Sequence, residues 1–302
     1  MAGGETLPGL GPSGRLIPGK RELPVIGHLM RLYRRSPLHP RLGAALSRAL
    51  GWVTAWMPSP RQRVIQGLTW ELDLREVIDA SMYFSGSFEP RAEAILASSL
   101  PAGGIAVDVG ANIGYHALRM AKTVGPTGRV VAVVPSPRAL GRLARNVSLN
   151  NLANMTVVAA ALGDHDEDSC RLTVQSSFPL SGRAVPETAV VRLLTLDSLI
   201  RELALRRLDL LKIDVDGHEA RVFRGAGETL RVHRPVVFFE LWPAGIRANG
   251  DDVEAPFQLL RALGYCLWTE KGAALPDPMR YVRSLAEGAG CNLLAKPSAQ
   301  RD

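Results

Sequence analysis

The sequence predicts an α/β fold, a mostly parallel sheet with helices on both faces, from three observations. The run IAVDVGANIGYHALRMA (105–121) passes from a β-branched strand through a glycine-rich turn into helical spacing at His116, Leu118 and Met120. Strand RVVAVVP (129–135), helix SPRALGRLARNVSLNN (136–151) and strand MTVVAAALGD (155–164) then alternate. Strands that alternate with helices run parallel, because each helix returns the chain to the same edge of the sheet. The third observation is size: 302 residues with 46% hydrophobic content are enough for one core plus an appended segment.

The chain starts with that segment. Residues 1–70 hold ten Lys or Arg against Glu5 and Glu22, a net charge of +8 that leaves the remainder at −1. Residues 1–25 are rich in Gly, Pro and Leu without periodicity and read as a solvated leader. In RLGAALSRALGWVTAWM (41–57), Leu42, Ala45, Leu46, Leu50, Val53 and Met57 recur at helical spacing beside Arg41 and Arg48, which predicts an amphipathic helix. It is expected to pack on the core or on a second subunit, making a homo-oligomer, with peripheral contact to a membrane surface as the alternative. Residues 1–60 are thus set apart from a domain over 61–302. No apolar run has the length of a membrane span or the layout of a signal peptide, so a cytoplasmic protein is expected. Cys170, Cys266 and Cys291 lack metal-ligand or disulfide spacing, and the sequons at Asn146 and Asn154 read as chance.

A polar lead-in (72–104) precedes the first strand, where Tyr83, Phe84 and Phe88 are expected to cover the sheet or line a ligand entrance. In the turn, Gly110, Asn112 and Gly114 permit a tight reversal and close approach of backbone to ligand. The polar stretch 169–192, with Pro179 and Pro186, reads as a flexible hairpin or flap. Strands LDLLKIDVDG (208–217), PVVFFELW (235–242), YCLWT (265–269) and GCNLLAKP (290–297) bring the count to seven, with a helix EARVFRGAGETL (219–230) among them.

Several separate segments, in order, resemble one family. VDVGANIGYHAL resembles the cofactor loop of the FkbM-type S-adenosylmethionine-dependent methyltransferases, and PSPRALGRLARNVSLNNL and VVAAALGD resemble its second strand end and third strand. LLTLDSLI, LDLLKIDVDGHEARVFRGAGETL and RPVVFFELWP resemble its later blocks, so the similarity spans roughly residues 83–297. The resemblance implies a Rossmann-like class I methyltransferase fold with the last strand inserted antiparallel between the two before it.

Ligands of such sheets lie beyond the carboxyl ends of the strands. That places Asp108, Gly110, Asn112 and Gly114 beside the amino-acid part of S-adenosylmethionine, Pro135 and Ser136 near its ribose, and Leu162, Gly163 and Asp164 near its adenine. Asp108 either receives the cofactor's ammonium or orders the loop. Asp214 and His218 are candidates for acceptor chemistry, with His218 as proton acceptor and Asp214 orienting it or the sulfonium. Asp214, Asp216 and Glu240 are alternatively a Mg2+ site, and Asp216 to Glu219 alternatively cap the following helix. Glu240, a carboxylate in an apolar strand, requires a partner, for which Arg221, Lys212 and a ligand are the candidates. Trp242 suits the face of a sugar ring or macrolide, or core packing.

One position departs from the family pattern. Where an acidic residue is usual at the end of the second strand, this chain reads AVVPSP with Val134, 20 residues past Gly114. A carboxylate there accepts ribose hydroxyls. Hydrogen bonds to a charged group contribute roughly 1.5–3 kcal/mol each, so losing the pair weakens binding by about one to three orders of magnitude. Another group supplies the contact, the cofactor binds weakly, or the fold persists without catalysis. The leading expectation is O-methylation of a sugar, glycolipid or polyketide-type small molecule. The alternative is a catalytically silent methyltransferase fold acting as a binding module. The acceptor is a small molecule or glycan rather than nucleic acid, since the core is near neutral and no RNA-binding motif is present.

Overall fold

The computed structural model describes residues 59–175, 177–180 and 186–298, with Gly51, Thr54, Trp56 and Met57. The leader and nearly all of the helix expected over 41–57 lie outside the described residues.

A hairpin of β1 (Arg61–Ile65) and β2 (Leu68–Leu72) comes first, then α1 (Val77–Ser85) and α2 (Pro90–Ser99). The alternation follows: β3 (Ile105–Val109), α3 (Tyr115–Val124), β4 (Arg129–Val133), α4 (Pro137–Leu149) and β5 (Met155–Val158). A second sheet is formed by β6 (Ala160–Leu162), β7 (Glu167–Val174) and β8 (Glu187–Leu194). The remaining elements are α5 (Leu196–Glu202), β9 (Leu210–Ile213), α6 (Glu219–Arg224), α7 (Gly227–His233), β10 (Val236–Leu241), α8 (Pro243–Ala248), α9 (Ala255–Ala262), β11 (Tyr265–Thr269), α10 (Pro278–Arg283) and β12 (Cys291–Pro297).

Seven strands form the main sheet in the order β11-β12-β10-β9-β3-β4-β5. Strand β12 runs antiparallel to both β10 and β11, and the other neighbours are parallel. This is the seven-stranded class I architecture expected, including the inserted last strand.

The pleat sorts side chains by parity. Val107, Val109, Val131, Val133, Leu211 and Ile213 pack with Phe223, Phe239 and Phe257 on one face. Ala106, Val130, Ala132, Leu210 and Phe238 pack with Trp70, Leu118 and Leu143 on the other. Both faces are covered, which is why the strands read as near-continuous apolar runs.

Two segments differ from the sequence reading. The strand expected over 155–164 divides at Ala159, its first part joining the main sheet and its second pairing with β8. The helix expected over 219–230 breaks into α6 and α7 at Gly225, where a Cβ would lie 2.0 Å from the Gly163 carbonyl oxygen. The hairpin expected over 169–192 is present as β7 paired antiparallel with β8. Asn146 is fully buried, accepting from the Glu71 amide (2.9 Å) and donating to the Ile113 carbonyl (3.0 Å), so this sequon is internal.

Candidate active site

The glycine loop is shaped by close approach. Gly110 has φ +81°, and a Cβ there would lie 1.8 Å from the Asp214 carbonyl oxygen, so only glycine lets the β3 and β9 ends meet. The amides of Gly110 and Ala111 both donate to the Val133 carbonyl (3.0 and 3.1 Å), pinning the loop to β4. Asn112 is also left-handed, at φ +49°. Helix α3 then starts at Gly114 with no side-chain cap, leaving its first turn as a positive dipole end facing the loop.

Period-two alternation puts Asp108, Lys212, Asp214 and Glu240 on one face of three adjacent strands. Asp108 is opposite Lys212 in register, and Lys212 is opposite Phe238. The Lys212 Nζ lies 3.1 Å from Asp108 Oδ1 and 3.3 Å from Asp214 Oδ2. Both Asp108 and Lys212 are buried, and neither Asp108 oxygen receives a hydrogen bond of good geometry. Burial disfavours the Lys212 charge, but Asp108 and Asp214 outweigh it and hold the ammonium above its ordinary range.

Asp214, just past β9, and Glu240, on β10, stand side by side and act on each other's protonation. Burial, then the Asp214 charge and the hydrogen bond to Asp214, push Glu240 well above the ordinary carboxyl range. Burial also pushes Asp214 up, but Lys212, the hydrogen bond from Glu240 and the His116 ring outweigh it and keep Asp214 low. Glu240 is thus the donor and Asp214 the ionised acceptor, with 40% of the Asp214 side chain exposed to the cleft. The partner of Glu240 is therefore Asp214, since Arg221 is engaged by Asp251 (2.9 Å) and the Asn249 carbonyl (2.9 Å) and Lys212 by the two aspartates.

Two groups escaped the sequence reading. Glu89, just before α2, meets buried His116 Nε2 at 2.9 Å, while His116 Nδ1 has no hydrogen-bond partner among the described residues. His116 was legible only as a helical-face residue, and nothing in SFEP pointed to it. Of the residues after β9, Asp216 is exposed at a left-handed φ of +52°, and the surrounding protein and then the Asp214 charge push its carboxyl up to about 6. His218 is held low by burial and Arg221, and its electrostatic neighbours are Arg221 and Asp251 rather than Asp214. Buried Glu219 receives the Val215 and Gly217 amides (3.2 and 3.1 Å) on one oxygen, so it braces the turn.

Val134 is 2% exposed and sits among Ala111, Ile113 and Leu143. Beyond it, Pro135 is half-buried, and Ser136 is buried, caps α4 through the Ala139 amide (3.1 Å) and donates to Glu187. Leu162 is core, paired in register with Leu194. Asp164 is turned to Arg224 (3.0 Å) and His165 (2.9 Å), and the His165 hydrogen bond holds its carboxyl low. Tyr83 is buried, and Phe88 meets Tyr115 edge-on at 5.7 Å, so these aromatics pack the core. Trp242 stands half-exposed at the β10 end, covering Gly245 and donating to the Gly288 carbonyl (3.1 Å). A cavity of about 500 Å3 lies at the amino ends of β4 and β5, beside Gly128, Arg129 and Asn154, away from this chemistry.

Among the described residues no three His, Cys, Asp or Glu side chains converge as metal ligands. The Mg2+ site expected at Asp214, Asp216 and Glu240 therefore finds no support among the described residues.

Methyltransferase sdnD of Sordaria araneosa is 29% identical over 216 residues, covering 60% of this chain and 80% of the relative. AMB antimetabolite synthetase AmbE of Pseudomonas aeruginosa is 28% identical over 221 residues, 60% of this chain but 10% of that protein. Among solved structures, methyltransferase FkbM from Methylobacillus flagellatus KT is similar at TM-score 0.41 and 16% identity, over 71% of this chain and 52% of that one. TYW2 of M. jannaschii in complex with AdoMet is similar at TM-score 0.40 and 15% identity, over 78% and 83%. The family model described as the methyltransferase FkbM domain matches residues 108–267, more than half of the 302 residues and the very strands that bear the buried charges, and the chain belongs to this methyltransferase family.

Proposed function

We propose that this chain is an S-adenosylmethionine-dependent O-methyltransferase acting on a hydroxyl of a sugar, glycolipid or polyketide-type small molecule. The observation that carries the reading is Asp214: an ionised, partly open carboxylate whose backbone abuts Gly110 of the cofactor loop.

The residues fit the cofactor. The uncapped first turn of α3 suits a carboxylate, and Asp108, paired with Lys212, stands on β3 just before the loop. S-Adenosylmethionine supplies an electrophilic methyl group on a sulfonium. The protein's share is positioning and proton removal. Asp214 presents a negative charge to the cleft, accepts the hydrogen bond of an acceptor hydroxyl and takes its proton as the oxygen is methylated. Glu240 and Lys212 keep that charge localised, one by donating a proton and the other as counter-ion. Trp242 offers a flat apolar face to a ring-shaped acceptor.

Val134 favours a second reading, a methyltransferase fold that binds a partner without catalysis. Incubation with methyl-labelled cofactor and a panel of sugars, glycolipids and macrolides discriminates the two. Methyl ethers formed by the protein, and lost in Asp214→Asn, support the first reading. Label on nitrogen, or none on any acceptor, would contradict it.

A further inference from the structure

The β4 end lacks its own carboxylate but receives one from elsewhere in the chain. Glu187 is the first residue of β8, in the second sheet, and 51 positions from Ser136. Its carboxylate accepts from the Ser136 hydroxyl through one oxygen and from the Arg138 amide (3.3 Å) through the other. Ser136 is two residues past Val134, a span of at most about 7 Å of extended chain. Glu187 therefore brings a carboxylate to the start of α4, two residues past position 134.

Other nearby carboxylates are turned to different partners. Glu76 takes Arg138 Nη2, the Ser177 hydroxyl and the Phe178 amide, each at 2.8 Å. Asp164 faces Arg224 and His165. Val134 offers only methyl groups and is buried in the cluster that includes Ala111 and Leu143.

We infer that Glu187 replaces the missing carboxylate at position 134, and that it accepts the ribose hydroxyls of S-adenosylmethionine from across the second sheet. This rests on the cofactor reading above. It also gives the β7–β8 pair a function, since the hairpin brings a cofactor contact to β4 that the strand itself no longer encodes. A helix-capping role for Glu187 is compatible with this contact, and the test separates the two.

The test is calorimetric titration of the full chain with S-adenosylhomocysteine and its 3′-deoxyribose analogue. Glu187→Gln is expected to weaken S-adenosylhomocysteine binding at least about tenfold. Removing the 3′-hydroxyl is expected to weaken binding to the unmodified protein about fivefold or more, but to Glu187→Gln by less than about twofold, because the two changes delete one interaction. Equal hydroxyl sensitivity in both proteins, or Glu187→Gln binding within about twofold of the unmodified chain, would overturn the inference while leaving the cofactor reading intact. Absence of binding by the unmodified protein would overturn both. If Glu187→Gln does not fold, the unmodified protein still decides, since indifference to the 3′-hydroxyl refutes any ribose acceptor.

Discussion

Lys212 Nζ lies 3.1 Å from Asp108 Oδ1 in the buried middle of the sheet, joining the ends of β9 and β3 by charge. The same ammonium lies 3.3 Å from Asp214, so one cation serves two carboxylates. Replacing Lys212 with Met would leave Asp108 buried beside no cation. The expected cost is about 3–5 kcal/mol of folding free energy, the usual penalty for removing one partner of a buried pair. Urea denaturation measures it, and a loss below about 1 kcal/mol would mean that Asp108 takes up a proton at little cost.

Glycine substitutions should separate by position. Gly110→Ala places a methyl against the Asp214 carbonyl at a left-handed φ, so it is expected to disrupt the loop and abolish S-adenosylhomocysteine binding. Gly141→Ala, within α4 with open space around its Cβ position, is expected to stabilise by about 0.5–1 kcal/mol and leave binding unchanged. Thermal melts with and without ligand check both.

These positions also show what was legible in the sequence. Strand alternation and the glycine turn were readable because apolar periodicity is local. The row Asp108, Lys212, Asp214, Glu240 was half readable: Glu240 called for a partner, but only the register of β3, β9 and β10 shows that Asp214 meets it. Lys212 in the run LLKID carried the same signal, a charge in an apolar strand, and its pairing with Asp108 depends on residues 104 positions apart. The Glu89–His116 contact and the arrival of Glu187 beside Ser136 are tertiary, with no local pattern to announce them. The β1–β2 hairpin was missed because its outward strand, RQRVI, exposes charged and polar residues.

Glu219 should make stability depend on pH. Burial, opposed by the amides it receives, lifts its carboxyl from 4.5 to about 7 in the folded protein. The folded state then binds more protons than the unfolded state between these values, so stability falls as pH rises. The contribution is full below the unfolded value and lost as pH passes about 7. Glu219→Gln mimics the protonated form. Its stability advantage over the unmodified chain should grow from about pH 5 to about pH 8, and a constant difference across that range would contradict the assignment.

Asp214 should distinguish a charged cofactor from its neutral product. In Asp214→Asn, the preference for S-adenosylmethionine over S-adenosylhomocysteine is expected to fall about fivefold or more, with the product's affinity little changed. Because Asp214 is held low, the unmodified protein should keep its preference as pH falls through the ordinary carboxylate range and lose it only below. Paired titrations at several pH values measure this. An unaltered ratio in the variant would place the sulfonium away from Asp214.

Calorimetric titration of the unmodified chain with S-adenosylmethionine and S-adenosylhomocysteine tests the central claim most directly. Saturable one-to-one binding, with Kd about 1–100 μM, is the result expected of a methyltransferase whose ribose contact comes from outside β4. No heat and no thermal shift with either ligand up to about millimolar concentration would contradict it, and would make Val134 the mark of a fold that has given up its cofactor.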